Sequence, residues 1–171
     1  MTRPDLDSVP AQFKHYVEHV KDMDVIESLK YSSEQTLKLI RSIPEDKGEF
    51  RYAEGKWSIK EVLNHMIDVE RIMAYRALRF SRNDKTDLPP FEENDYAPEA
   101  NASARTIAQL ANELSRLRAT TVDLFQSFTP AMLKREGTAN KKSISVLTLG
   151  YVISGHESHH RQLFRDRYLI K

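Results

Sequence analysis

Cysteine is absent from the 171 residues, which excludes a disulfide framework, thiolate metal ligands and a cysteine nucleophile. Any metal site must rest on histidine, aspartate or glutamate. Glycine is scarce, at five residues, and no Asn-Gly or Asp-Gly pair separates alternating apolar runs. Both features argue against a hairpin-rich sheet protein, and helices are expected to dominate. Neither sign of charge prevails, because 26 Lys and Arg face 25 Asp and Glu for a net charge of +1. No global field draws in nucleic acid or an anionic membrane. Long hydrophobic runs are missing too: the longest mostly apolar stretch, residues 144–153, is about half of what a bilayer requires. The opening MTRPDLDSVP lacks the apolar core of a signal peptide. The expectation is a cytoplasmic protein with neither a nucleic-acid nor a membrane partner.

What the chain has is enough hydrophobic content, 40%, for one core, and residues 1–171 read as a single domain. The periodicity predicts helices. In residues 104–128, Ile107, Leu110, Leu114, Leu117, Thr121, Leu124 and Phe128 alternate steps of three and four. A second helix starts at Ser58, with Glu61 placed for a capping box and Trp57 and Val62 for a hydrophobic staple. Its apolar line runs Ile59, Val62, Met66, Val69, Met73, Ala77. A third covers residues 24–42 with Leu29, Leu37 and Ile40 inward, ended by Pro44. A shorter amphipathic piece, residues 13–20, precedes it, and a fourth long helix spans residues 143–168. NDKTDLPPFEENDYAPEANAS is rich in Pro, Asp and Asn and reads as a long surface crossover between the second and third long helices. The fold class is all-α, a four-helix bundle with one long crossover, and such bundles build metal sites from inward side chains of facing helices.

GHESHHRQ, residues 155–162, puts three histidines and a glutamate into five consecutive positions. At about 100° per residue, His156 and His160 share the inner face of the last helix with Leu149, Val152, Ile153, Leu163 and Phe164. Two imidazoles one turn apart on an apolar face read either as hydrogen-bonded core residues or as ligands of one ion. His65, on the edge of the stripe that begins at Ser58 and flanked by Val62 and Val69, can reach a site between the two helices. His159 points about 60° away from His156, and His15 and His19 belong to the short separate segment. All three read as solvent-exposed.

KWSIKEVLNHMIDVERIMAYRALRFSRND, FEENDY and GHESHHRQL together resemble the DinB-like family of small bacterial four-helix-bundle proteins, unrelated to the polymerase that shares the name. The resemblance runs over residues 13–163, and its most specific elements are the W-S-I-x-E-x-L-x-H block and the closing H-x-x-x-H. It implies a divalent metal held by His65, His156 and His160. Three neutral imidazoles leave an open coordination position, a catalytic rather than a structural arrangement, with zinc or nickel preferred. The resemblance further implies a hydrolase or a thiol S-transferase acting on a small molecule. Without cysteine, any thiol must be a low-molecular-weight cosubstrate. A homodimer is compatible with this reading.

Two other readings compete. One is a metal-binding stress or interaction protein without turnover, since fold alone does not decide function. The other is an H-E-x-x-H peptidase with Glu157 as general base. Against the peptidase, the eleven residues after His160 hold neither histidine nor glutamate, and Glu157 is turned about 100° from His156. Asp68 and Glu61, a turn to either side of His65, are candidate acceptors for an imidazole N–H, and Glu157 a further candidate. Arg76, three turns beyond His65, is placed either to hold an anionic substrate or to pair with a crossover carboxylate.

Overall fold

Each long helix starts where a short polar side chain can cap it. In the computed structural model, which describes residues 2–168, the helices are α1 (Ala11–Glu18), α2 (Val25–Ile40), α3 (Ile59–Ser81), α4 (Glu93–Glu99), α5 (Ile107–Gln126), α6 (Pro130–Leu133) and α7 (Val146–Asp166). Asp24 with Glu27, Ser58 with Glu61, and Thr106 with Gln109 form reciprocal capping boxes at α2, α3 and α5. Ser145 caps α7 by accepting from the Thr148 N–H at 3.1 Å. Each such cap is worth about 1 kcal/mol.

The bundle consists of α2, α3, α5 and α7. α7 packs on α2 and α3, α5 packs on the same two helices from the other side, and α1 lies across α7. The apolar interior falls into two clusters. One contains Val25, Leu29, Val69, Met73, Phe125, Leu149 and Val152; the other contains Leu37, Ile40, Ile59, Leu63, Leu110, Leu114 and Phe164. Where the two sets meet, every bundle helix carries a buried polar group: Ser32 on α2, Glu70 on α3, Arg118 on α5, and His156, Glu157 and His160 on α7. The sequence thus places a polar layer across the middle of the bundle.

Three local features depart from the sequence expectations. Residues 143–145 are strand rather than the start of the last helix: β1 (Glu136–Ala139) and β2 (Lys142–Ser145) form an antiparallel hairpin, and α7 begins at Val146 and ends at Asp166. Asn140 and Lys141 make its two-residue turn with φ of 51° and 60°, the conformation normally signalled by Asn-Gly. Asn-Lys hides that signal. Gly137 is required here, because a Cβ would fall 2.0 Å from the Phe80 ring. Second, the crossover contains α4, whose N-cap Glu92 accepts from the Asn94 N–H, with Pro98 confined to the last turn. Third, α5 is rolled relative to its predicted stripe: Leu117 and Leu124 are half-buried, while Arg118, Val122 and Phe125 face the core.

Candidate metal centre

α3 and α7 are neighbours in the bundle, and their facing sides bring together His65, His156 and His160. The Nε2 atoms of His65 and His156 are 3.0 Å apart, and those of His160 and His156 are 3.1 Å apart. Ring nitrogens of all three lie within 4.8 Å of one another. His156 and His160 are buried and His65 is half-buried. Burial, reinforced by the neighbouring imidazoles, holds His156 and His160 well below the ordinary histidine range. Burial first, and then His159, lowers His65 to about 4. The three rings are therefore neutral at physiological pH, the protonation state that ligation requires.

The donor set fits a cation. Nitrogens at about 2.0–2.1 Å from a tetrahedral ion stand about 3.3 Å apart, near the 3.0 and 3.1 Å that separate His156 from His65 and His160. Without an ion, the His156 Nε2 faces two other ring nitrogens, and with one N–H or one in-plane lone pair it can make a full hydrogen bond to only one of them. The buried Nδ1 of His160 has no hydrogen-bond partner among the described residues, and Nε2 is the nitrogen that the ring turns toward the cluster.

The surroundings leave one side of the cluster open. The Trp57 ring lies 4.8 Å from the His65 ring, and the Tyr16 ring meets His156 edge-on at 5.2 Å. Tyr16 gets so close because α1 crosses α7 at Gly155, where a Cβ would sit 2.1 Å from the Tyr16 carbonyl oxygen. A cleft of about 340 Å³ then runs from His65 and His156 past Tyr16 and Phe91 to Arg76. Burial, with Glu93 second, raises the Tyr16 phenol above its ordinary range, so it stays protonated.

The other candidates take various positions. His15 and His19 are exposed as expected, whereas His159 is half-buried, with its ring against those of Tyr16 and His15 at 5.6 and 5.8 Å. The α1 helix covers it, which periodicity within α7 alone does not reveal. Glu61 accepts from the Ser58 N–H at 2.6 Å and pairs with Arg51. Asp68 accepts from Asn64 at 2.7 Å, and burial raises its carboxyl. Both are committed to partners other than His65. Arg76 pairs with the crossover through a carbonyl instead of a carboxylate, donating to Pro89 O at 2.9 Å.

Glu157 accepts from Arg118 at 2.7 Å and is buried. Arg118 also makes two 2.8 Å bonds to Glu70 and donates to Leu29 O and Ser32 Oγ. Burial opposes the guanidinium charge, but Glu157 and Glu70 together outweigh it and push Arg118 above its ordinary range. Glu157 is thus one arm of a buried Glu-Arg-Glu layer, which leaves no general base of the peptidase type. Sequence reasoning missed Arg118 and Glu70. The available signal was the spacing of Arg118, four residues from both Leu114 and Val122.

Residues 28–164 match the model of the DinB superfamily, and the chain belongs to that family. A relative from Geobacillus thermodenitrificans named "Putative metal-dependent hydrolase" is 26% identical over 155 residues, covering 88% of this chain and 84% of its own length. Among solved structures, YfiT from Bacillus subtilis, described as a probable metal-dependent hydrolase with an unusual four-helix bundle topology, superposes with a TM-score of 0.69 at 17% identity, over 86% of this chain and 87% of that one. The mycothiol-dependent maleylpyruvate isomerase gives a TM-score of 0.67 at 12% identity, over 93% of this chain and 62% of that longer one. These two likenesses show the fold.

Proposed function

We propose that the protein is a metal-dependent enzyme acting on a small molecule, with His65, His156 and His160 as the ligands of one divalent cation, zinc or nickel. The observation that carries this reading is the convergence of three neutral imidazoles at the end of a cleft that reaches the surface. A purely structural site would be closed on all sides by protein ligands. Bound there, such an ion supplies the Lewis acidity that activates water or an exogenous thiol near neutral pH.

The chain's own residues do the rest. Trp57 and Tyr16 flank the histidines and limit water around them. Tyr16, kept protonated on the cleft wall, holds a proton that it can donate to a developing negative charge. The Arg118 layer lies behind the histidines and fixes the register of α3, α5 and α7. Hydrolysis is the first expectation, supported by the name of the Geobacillus relative. Transfer of a low-molecular-weight thiol is the second, because a cysteine-free chain must take its thiol from a cosubstrate.

The test is metal analysis of purified protein, followed by a screen of simple esters and amides and of thiols paired with electrophiles. The reading expects about one transition-metal ion per chain and turnover that disappears on chelation. Turnover that persists after the metal is shown to be gone defeats it.

A further inference from the structure

The cleft lined by His65 and His156 is also lined by a buried cationic side chain, Arg76. Arg76 follows His65 by eleven residues on the same face of α3, with Val69 and Met73 between them on the cleft wall. Eleven residues are about 16 Å of helical rise, and the long Arg76 side chain reaches back toward Met73 and the histidines.

Arg76 is 5% exposed, yet its donors are largely unused. One bond goes to Pro89 O at 2.9 Å and one weak contact to the Met73 sulfur at 3.8 Å; the buried Nε has no partner. The Phe91 ring lies 5.8 Å away. Among the described residues no carboxylate pairs with it. The other buried arginine, Arg118, is neutralised by two. A guanidinium does not deprotonate in proteins, and leaving one buried without a counter-ion is costly. Lys142 adds positive charge on the cleft wall, where it is exposed and bonded to Gln12 at 3.0 Å. Glu93, the carboxylate on that wall, acts on Tyr16, and burial is the one influence resolved on Arg76.

We propose that Arg76 is the anion subsite of the cleft: the substrate is a small carboxylate, its anionic end paired with Arg76 and its reacting end against His65 and His156. A planar guanidinium with free N–H donors matches a carboxylate in charge and shape. The proposal rests on the reading of the histidine cluster as the reacting centre, and its test is made independent of the metal.

Glutarate and its neutral isostere glutaramide are titrated by calorimetry into chelator-treated wild-type protein, Arg76→Gln and Arg76→Lys. Glutarate should bind the metal-free wild type, bind Arg76→Gln at least tenfold more weakly, and bind Arg76→Lys with intermediate strength; glutaramide should not bind. A role for Arg76 confined to tethering the crossover would leave no preference for charge. Equal binding of glutarate and glutaramide by the wild type overturns the proposal even if Arg76→Gln fails to fold, as does undiminished glutarate binding by a folded Arg76→Gln. Preferential, Arg76-dependent capture of inorganic phosphate overturns the carboxylate assignment. Failure of the metal reading leaves these titrations unchanged, so the two ideas fall separately.

Discussion

His65 and His156 are 91 positions apart in sequence, and their Nε2 atoms stand 3.0 Å apart across the α3–α7 interface. That contact is neither hydrophobic packing nor a salt bridge, and on the proposed reading the two rings share one cation. His160→Ala should abolish metal binding or weaken it severely while the helices still form, because both apolar clusters remain without the ion. The truncation leaves a small cavity and should cost on the order of 1–3 kcal/mol. His159→Ala should keep the metal. Circular dichroism with metal stoichiometry on the two variants checks this, and an unfolded His160→Ala protein would mean that the ion is structural.

Arg118→Met removes the positive charge between Glu70 and Glu157 and leaves two buried carboxylates facing each other. Breaking a buried ion pair from one side costs about 3–5 kcal/mol. Adding Glu70→Gln and Glu157→Gln should recover part of that loss. Urea unfolding of the single and triple variants measures the difference, and a single variant as stable as the wild type would remove the layer from any structural role.

Gly155→Ala places a methyl group on the α1–α7 crossing, against the Tyr16 carbonyl. Backbone cannot yield there as a side-chain tip can, so the helices must separate, at a cost of about 1–3 kcal/mol. α1 carries Tyr16, and the tyrosine should move away from His156. Thermal melting reports the cost. An unchanged melting temperature would contradict the close approach.

Protonation opposes the cluster. His65 falls to about 4 in the folded protein from a usual value near 6.5, chiefly through burial, and His156 and His160 are also held well below the usual range, chiefly by burial and then by neighbouring imidazoles. The unfolded chain therefore binds more protons below pH 6.5, and folding stability is lost as pH falls from 6.5 toward 4. Denaturant midpoints of chelated protein at pH 7.5, 6 and 5 should decline in that order, and zinc should protect less at the lower pH because protons compete for the same nitrogens. A flat profile would show that the histidines are not buried as neutral rings.

Much of this was legible before the structure. Ser58 with Glu61 marked the start of α3, the Ile59 to Ala77 line marked its buried face, and the four-residue step from His156 to His160 put both rings inward. Periodicity works there because each helix buries one stripe along its length. It failed where tertiary partners decide. Arg118 displaces Leu117 from the inner face because Glu70 and Glu157 meet it from other helices, and half-burial of His159 depends on α1 crossing at Gly155. The hairpin escaped because Asn140 and Lys141 adopt a turn usually announced by glycine.

X-ray absorption at the metal edge of purified, metal-loaded protein tests the central claim most directly. Three imidazole nitrogens should appear at about 2.0–2.1 Å, recognised by the outer-shell scattering of their rings, with one or two oxygen scatterers completing the shell. Substituting any one of His65, His156 or His160 should lower the imidazole count or release the ion. A shell made of oxygen alone, or one that survives the loss of all three histidines, would contradict the account.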